Sequence, residues 1–169
     1  DPKLPEMLER VETQASEANE PELLRLLGLL TDGVYIGPRT FHLDVANSCN
    51  ENCAYCWFHS PSAGNRTDAH LFDASWKRTH IDFDVACRLL DDLARIGARE
   101  DVLLTGKGEP LTHPRCLDIV DHAKSLNLHT TLFSNGMLLT PANLSRMHEA
   151  GLDLLYVSLS SASPEVYEV

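Results

Sequence analysis

Hydrophobic residues along the chain fall into two alternating patterns, one typical of strands and the other typical of helices. Short apolar segments between turn residues are typical of strands, and longer segments with apolar residues three or four positions apart are typical of helices. From residue 40 onward, a strand followed by a helix occurs four times. The predicted strands are 40–45, 101–104, 129–133 and 154–159, and the predicted helices are 82–96, 114–126, 140–151 and one that opens at 163–165.

Residues at the boundaries support these elements. Asp82 is a good N-cap for the first of these helices, and Gly97 is the residue type that commonly follows a helix end. Thr140 and Pro141 are the types preferred at the N-cap and first position of another helix. The segment 60–80 is polar and has neither pattern, which predicts a long loop.

The alternation of strands and helices predicts an α/β fold with a parallel sheet, because right-handed helical crossovers bring consecutive strands side by side in the same direction. In barrels of this kind, the chemistry lies in the loops at the carboxyl ends of the strands. Every unusual motif of this sequence follows a predicted strand. We therefore expect a TIM-like (β/α) barrel arrangement with the functional residues at one end of the sheet.

Residues 1–39 are predicted to form a separate helical segment. Its first helix covers about 5–18, and its second follows Pro21 and carries six leucines within 23–30. A cluster with this many leucines is not expected to stay exposed to solvent. The segment is therefore predicted to cover one end of the barrel or to bind a partner. The predicted organisation is this segment followed by a core at 40–169.

Composition and charge narrow the range of functions. A chain of 169 residues with 43% hydrophobic and 23% charged residues is typical of one globular domain. The formal net charge of −11 argues against binding to nucleic acid, which needs clustered basic residues. No apolar run approaches the length of a membrane span, and the acidic N-terminal sequence does not resemble a signal peptide. Five cysteines, an odd number without a disulfide pattern, indicate a reducing compartment, so we expect a cytoplasmic protein without membrane contact.

Three of the cysteines lie in one short loop directly after the first predicted strand. The sequence NSCNENCAYCWFHSP places Cys49, Cys53 and Cys56 at the spacing C-x3-C-x2-C. Three thiolates can hold three corners of a [4Fe–4S] cluster and leave the fourth iron open. A zinc site fits the same residues, because His59 could complete a Cys3His set. The other two cysteines fall in helical segments and are expected to be buried structural thiols: Cys87 and Cys116.

The cysteine spacing closely resembles that of the radical S-adenosylmethionine (SAM) family, and Tyr55 stands where that family has an aromatic residue. The resemblance implies that the open iron binds the amino and carboxylate groups of SAM, and that the reduced cluster cleaves SAM to a 5′-deoxyadenosyl radical. In that family the loop at the place of Tyr55 meets the adenine, so Tyr55 is a predicted cofactor-binding residue. The placement of the motifs after strands favours this interpretation over the zinc site.

A second motif follows the second strand, where TGKGEP at 105–110 resembles the family's Gly-Gly-Glu-Pro. The match is Gly-Glu-Pro from Gly108, preceded by Gly106, with Lys107 at the place of the first glycine. A methionine amine needs acceptors, and a carboxylate with strand-end carbonyls can supply them. The resemblance implies that Glu109 and the nearby backbone hold this amine of SAM, with the glycines allowing the backbone to approach the ligand closely.

Two weaker matches follow the third and fourth strands. Ser-Asn-Gly at 134–136 resembles the family's Thr-Asn-Gly, which makes Asn135 a predicted cofactor-binding residue, and the same tripeptide is also typical of a simple turn. Ser158 matches the family's serine near the end of the fourth strand. The resemblance implies that Ser158 contacts the methionine carboxylate or the ribose of SAM.

The resemblance covers about residues 40–169, and the family barrel has about six strand–helix units where four are found here. We therefore expect a partial TIM-like barrel of the radical SAM type. The implied substrate is a peptide or a small metabolite, and the implied electron donor is a reductant such as flavodoxin or ferredoxin. Two alternatives stay open: a Cys3His zinc-binding scaffold module, and a non-catalytic fragment of a larger radical SAM protein.

Overall fold

The computed structural model describes residues 4–17, 20–62, 69–98, 101–161 and 163. In these ranges the helices are α1 (Leu4–Glu17), α2 (Pro21–Thr31), α3 (Phe83–Arg95), α4 (Cys116–Ser125) and α5 (Pro141–Glu149). The strands are β1 (Thr40–Ala46), β2 (Asp101–Gly106), β3 (His129–Ser134) and β4 (Leu154–Val157). None of the described helices has both the length and the apolar content needed to cross a membrane. The predicted helix that opens at 163–165 lies outside the described residues, apart from Ser163.

The four strands form one parallel sheet in the order β1-β2-β3-β4. Each strand pairs with the next one in the sequence, and α3, α4 and α5 lie in the connections between them. The register aligns one leucine from each strand in a row across the sheet: Leu43, Leu104, Leu132 and Leu155. The predicted α/β fold is confirmed, and its parallel strands added in sequence order are those of a partial TIM-like barrel.

The hydrophobic core lies between one face of the sheet and the connecting helices. Leu43, Leu104 and Leu132 are at most 3% exposed, and they share the core with Leu90 of α3 and Ile119 of α4. Because side chains alternate between the two faces of a strand, the intervening residues lie on the opposite face. That face carries polar side chains from the first three strands: His42, Asp44, Asp101, Thr105 and His129.

Side-chain caps confirm two of the predicted helix starts. Before α3, the Asp82 carboxylate accepts hydrogen bonds from the backbone N–H groups of Asp84 at 2.9 Å and Val85 at 3.1 Å. Before α5, the Thr140 hydroxyl accepts a hydrogen bond from the N–H of Asn143 at 3.2 Å. Both caps satisfy N–H groups that the first turn of a helix leaves unpaired.

Helix α4 begins at Cys116, two residues later than the predicted start at Pro114. The reason is an anchored histidine in front of it. The ring Nδ1 of His113 accepts a hydrogen bond from the N–H of Arg115 at 3.0 Å, and its Nε2 donates to the carbonyl of Ile81 at 2.9 Å. These bonds hold the two residues after His113 in a turn, so the helix starts only beyond them.

The segment 60–80 contains more regular structure than the predicted loop. Its described part includes short 3₁₀ helices at Ala69–Phe72 and Trp76–Arg78. At its end, His80 pairs with Ala46 of β1 in an isolated antiparallel bridge. The segment is therefore fastened to the strand that precedes the cysteine loop.

Aromatic packing also connects this segment to the cysteine loop. The rings of Phe72 and Trp76 lie 4.9 Å apart, and Phe58 of the cysteine loop lies 5.2 Å from Phe72 and 5.8 Å from Trp76. Phe72 meets each of the other two rings edge-to-face, a favourable geometry for aromatic pairs. These contacts join distant parts of the sequence, which is why periodicity did not reveal them.

Both predicted N-terminal helices are present, and the structure shows where they attach. Helix α2 buries Leu24 and Leu27, whereas Leu29 is 82% exposed, so only part of the leucine cluster is covered. The connection after α2 packs tightly against the turn before β2, since a Cβ at Gly37 would lie 2.8 Å from the backbone nitrogen of Ala98. This contact lies at the amino end of the sheet, away from the cysteine loop. The division into two domains stays a prediction.

We expect Leu104→Ala to lower the free energy of unfolding by about 2–5 kcal/mol, as large-to-small changes do in a packed core. Leu104 is fully buried in the leucine row of the sheet. The matched control is Leu29→Ala, at an 82% exposed position, which should change the free energy of unfolding by about 0.5 kcal/mol or less. Urea denaturation measures both variants, and equal losses would contradict the core described above.

Candidate functional site

The loops after β1 and β2 meet at the carboxyl end of the sheet. The N–H of Gly108 donates to the carbonyl of Ala46 at 3.1 Å, and the N–H of Glu109 donates to the carbonyl of Ser48 at 2.8 Å. Ser48 directly precedes the first cysteine of the cysteine loop. The glycine–glutamate turn is therefore held against the start of that loop.

The two glycines of this turn are required by the closeness of the loops. A Cβ at Gly106 would lie 2.2 Å from the carbonyl oxygen of Ala46, and a Cβ at Gly108 would lie 2.0 Å from that of Ser48. Any other residue would have to push the two loops apart, because only glycine lacks a Cβ. The sequence suggested ligand approach as the reason for glycine here, and the structure adds a reason within the protein.

Lys107, between these glycines, folds back over the polar face of the sheet. Its Nζ lies 2.8 Å from a carboxylate oxygen of Asp44 and 5.8 Å from the centre of the Phe58 ring. The other oxygen of Asp44 accepts a hydrogen bond from the Thr105 hydroxyl at 2.8 Å. Burial tends to raise the pKa of Asp44, but the bonds from Lys107 and Thr105 outweigh it and lower that pKa. The lysine at the place of the family's glycine is therefore paired with a charge of this chain.

Cys49, Cys53 and Cys56 are all half-buried in the loop after β1. Burial raises the pKa of the Cys49 thiol, and the nearby negative charges of Glu109, Cys53 and Cys56 raise it further. Cys53 and Cys56 therefore lie close enough to Cys49 for their charges to disfavour its thiolate. The effect of Glu109 on the pKa of Cys49 indicates that these two predicted site residues lie near each other.

A serine that sequence reasoning missed closes the cysteine loop. The N–H of Cys56 donates to the carbonyl of Cys53 at 2.9 Å, and the N–H of Ser60 donates to the carbonyl of Cys56 at 3.2 Å. The Ser60 hydroxyl donates to the carbonyl of Ala54 at 2.7 Å. The signal available in the sequence was a serine shortly after the last cysteine, since serine often bonds to nearby backbone in turns.

Glu109 is 2% exposed, and its carboxylate accepts hydrogen bonds from two loops. One oxygen accepts from the hydroxyl of Ser134 at 2.9 Å and from the N–H of Leu111 at 3.3 Å. The other oxygen accepts from the N–H of Asn135 at 2.7 Å. A carboxylate has about four acceptor positions, so these three donors leave room for one more. Ser134 was considered only as part of the Ser-Asn-Gly match, and its bond to Glu109 was not anticipated.

Asn135 reaches from the end of β3 to the cysteine loop. Its side-chain oxygen accepts a hydrogen bond from the N–H of Met137 at 3.0 Å. Its side-chain nitrogen donates to the side-chain oxygen of Asn50 at 2.9 Å and to the sulfur of Cys49 at 3.8 Å. The structure therefore brings this predicted site residue together with a predicted metal ligand.

Ser158 lies just past the end of β4, because this strand ends at Val157 and does not continue to residue 159 as predicted. Its neighbour β3 ends at Ser134, where the last hydrogen bond runs from the N–H of Ser158 to the Ser134 carbonyl at 2.8 Å. Beyond that point β4 has no partner residue in β3. The side chain of Ser158 is exposed at the carboxyl end of the sheet, where the predicted ligand contact requires it to be.

Tyr55 is 72% exposed, and its hydroxyl is paired with the hydroxyl of Ser160. This contact links the cysteine loop to the segment that follows β4. The first and last strands of the described sheet are therefore connected through their carboxyl-end loops.

The zinc alternative depends on His59, which is 6% exposed. Its backbone N–H donates to the sulfur of Cys56 at 3.3 Å, and burial lowers the pKa of its ring. In the part of the chain that the structure describes, no group of three His, Cys, Asp or Glu side chains is arranged to bind a single metal ion. A preformed Cys3His tetrahedron is therefore not observed there. Thiolates that bind different irons of a cluster do not have to converge on one point.

The remaining two cysteines lie outside the loop. Cys116 is 2% exposed at the start of α4, and burial raises the pKa of its thiol to about 12, so it is the inert structural thiol that was predicted. Cys87 in α3 is only half-buried, although burial also raises the pKa of its thiol. The prediction of a buried thiol is thus confirmed for Cys116 and is wrong in degree for Cys87.

Several curated proteins resemble the chain. It is 30% identical over 131 residues to the AdoMet-dependent heme synthase of Methanosarcina barkeri, and the matched region covers 78% of this chain and 34% of that protein. It is 28% identical over 120 residues to the tungsten-containing aldehyde ferredoxin oxidoreductase cofactor-modifying protein of Pyrococcus furiosus, covering 70% of the chain and 30% of that protein. It is 29% identical over 129 residues to the PqqA peptide cyclase of Rhodopseudomonas palustris, and the matched region covers 76% of this chain and 30% of that protein. The chain thus spans about a third of the length of these relatives.

The fold is also found in a solved structure, that of BtrN in complex with AdoMet and 2-DOIA. The TM-score is 0.58 at 18% sequence identity, and the similarity covers 78% of this chain and 50% of BtrN. At this identity the likeness shows a shared fold. A family model described as the Radical SAM superfamily matches residues 43–169, which include all but the first three residues of the sheet and the motif matches that follow its four strands. The chain therefore belongs to the Radical SAM superfamily.

Proposed function

We propose that this chain carries the core of an enzyme that binds a [4Fe–4S] cluster and SAM. When bound, the two together supply a 5′-deoxyadenosyl radical by reductive cleavage of SAM, for hydrogen abstraction from a substrate. The observation that carries the proposal is the meeting of the cysteine loop, Glu109 and Asn135 at one end of a parallel sheet.

The cysteine loop has the donors that a cluster needs. Cys49, Cys53 and Cys56 are half-buried, and the charges of Glu109 and of the other two thiolates disfavour the free thiolate of Cys49. Thiolate is the form of cysteine that binds metal, and the positive charge of iron would offset this repulsion when a cluster is bound. With three cysteines available in the loop, one iron keeps a position for a ligand from SAM.

Glu109 is suited to accept a hydrogen bond from the methionine amine of SAM. Its carboxylate is held in place by Ser134, Leu111 and Asn135, so it does not have to be reordered when a ligand binds. One of its acceptor positions is left for a further donor. A hydrogen bond to an ionised acceptor is also stronger than one between neutral groups.

Two exposed side chains complete the proposed SAM site. Ser158 is held by its backbone bond to Ser134, which leaves its hydroxyl free to bind the methionine carboxylate or the ribose. Tyr55 places the cysteine loop next to the segment after β4, so its backbone can border the adenine. Gly106 and Gly108 contribute by allowing the two loops to approach.

The class of substrate is suggested by the relatives. PqqA peptide cyclase is named for a peptide, and the protein of Pyrococcus furiosus is named for modifying a cofactor. We infer that this chain acts on a peptide or a small metabolite, with electrons from a reductant such as flavodoxin or ferredoxin. The polar face of the sheet, with the Lys107–Asp44 pair beside the cysteine loop, is the surface on which such a polar substrate can be bound.

We expect anaerobically reconstituted protein to bind one four-iron cluster per chain, and the joint replacement of Cys49, Cys53 and Cys56 by Ala to abolish this binding. Iron and sulfide analysis with the absorption spectrum measures the cluster. Cys87→Ala is the matched control, because it removes a half-buried thiol of α3 and should leave the cluster intact. Full iron and sulfide in the triple variant would refute the assignment of these ligands.

His59→Ala should retain the iron content and the spectrum of the cluster. The bond from residue 59 to the Cys56 sulfur comes from the backbone N–H and survives the change. A cluster that must keep one iron open for SAM has no need of an imidazole ligand. Loss of iron in His59→Ala, together with a tetrahedral zinc signature in the unaltered protein, would instead support the zinc module.

Glu109→Ala should weaken SAM binding by about ten- to a hundredfold. An amine donor left unpaired in a closed site costs about 1–3 kcal/mol, and each 1.4 kcal/mol is about a tenfold change in affinity. Glu109→Gln removes the charge at constant side-chain size. If the amide oxygen of the glutamine keeps the hydrogen bond from Ser134, its NH2 group faces the backbone N–H of Asn135, so two donors meet there. SAM titration followed by EPR of the reduced cluster measures both variants.

The control for Glu109 is Ser134→Ala, which removes one donor to the carboxylate and leaves its charge. We expect it to weaken SAM binding less than Glu109→Ala does, at equal iron content. Unchanged SAM affinity in a folded, iron-loaded Glu109→Ala would remove Glu109 from the SAM site.

A further inference from the structure

We propose that Asn135 raises the reduction potential of the cluster by donating a hydrogen bond from its side-chain amide to the sulfur of Cys49. The inference rests on the proposed function, since it assumes that Cys49 binds iron. Asn135 is thus a positioning residue that acts on electron transfer through Cys49. This role differs from the contact with SAM that the sequence suggested for Asn135.

The side-chain nitrogen of Asn135 has two acceptors on the cysteine loop. It lies 2.9 Å from the side-chain oxygen of Asn50 and 3.8 Å from the sulfur of Cys49. A side-chain amide has two N–H groups, so each acceptor can receive its own. The bond to Asn50 also aligns the amide with the loop that carries Cys49.

The orientation of this amide follows from its other contacts. The side-chain oxygen of Asn135 accepts the N–H of Met137 at 3.0 Å, so the nitrogen must be the end that faces the cysteine loop. The opposite orientation would place two donors against each other at Met137. The backbone of Asn135 is held as well, because its N–H donates to Glu109 at 2.7 Å. The donor is therefore fixed at both ends and needs no rearrangement when the cluster changes its charge.

The direction of the effect follows from charge. Reduction adds one electron, supplied by an external one-electron reductant, and this electron makes the ligand sulfurs more negative. An N–H group pointing at a sulfur therefore stabilises the reduced cluster more than the oxidised one, and hydrogen bonds to sulfur are among the factors that set these potentials. No proton is transferred in this step. Loss of the donor should make the cluster harder to reduce.

The test compares Asn135→Ala with the matched variant Asn143→Ala in cluster-loaded protein without SAM. Asn143 also supports the loop after β3, but its side-chain nitrogen donates to the carbonyl of Leu138 at 2.8 Å, so this bond does not involve a sulfur. An EPR-monitored redox titration measures the midpoint potential, after iron analysis has established equal cluster content.

In Asn135→Ala we expect the equilibrium constant for one-electron reduction to fall by about tenfold, which corresponds to about 59 mV for a one-electron couple. Asn143→Ala should keep the original potential. If Asn135→Ala does not assemble a cluster, Asn135→Asp takes its place, because it keeps the acceptor for Met137 while replacing the donor with an anionic oxygen. Its potential should fall further still.

Two results would overturn the inference. The first is an unchanged potential in an iron-loaded Asn135 variant, and the second is an equal fall in Asn143→Ala, which would assign the effect to the loop as a whole. Failure of the proposed function is recognised separately. In that case the unaltered protein takes up no four-iron cluster, and this is seen in the iron analysis before any potential is measured.

Discussion

The arrangement of the loops after β1, β2 and β3 depends on the hydrogen bonds of the buried residue Glu109. The backbone N–H of Glu109 donates to the carbonyl of Ser48 ahead of the cysteines, and its two carboxylate oxygens accept hydrogen bonds from Ser134 and Asn135 at the end of β3. A buried carboxylate without donors is costly, so each of these donors stabilises the assembled loops. The backbone and side chain of this one residue therefore couple the cysteine loop, the glycine–glutamate turn and the end of β3.

Much of the fold could be predicted from the sequence, because each element carries its own local signal. The strands and helices follow from apolar spacing, Asp82 and Thr140 act as the caps that their residue types suggest, and few topologies satisfy the rule for parallel crossovers. In the site, the cysteine spacing and the Gly-Glu-Pro match are local as well. Their position after strands was sufficient to predict that they would meet.

Most of the features that were missed depend on partners distant in the sequence, and the exception is Ser60, whose partner Ala54 is six residues away. The bond from Ser134 to Glu109 spans 25 residues, and no local pattern of either residue implies it. The end of β4 is set by the last residue of β3, and the start of α4 by the bonds of His113. These details come from three-dimensional contacts, which apolar periodicity does not record.

The order of the strands has a consequence for how the site is assembled during synthesis. Each strand pairs with the one made just before it, so a strand leaving the ribosome finds its neighbour already available. The bonds among Ser48, Glu109 and Asn135 need only β1, β2 and β3. The part of the site that is proposed to receive iron can therefore be formed on the nascent chain before β4 emerges from the ribosome, and Ser158, which follows β4, joins it afterwards.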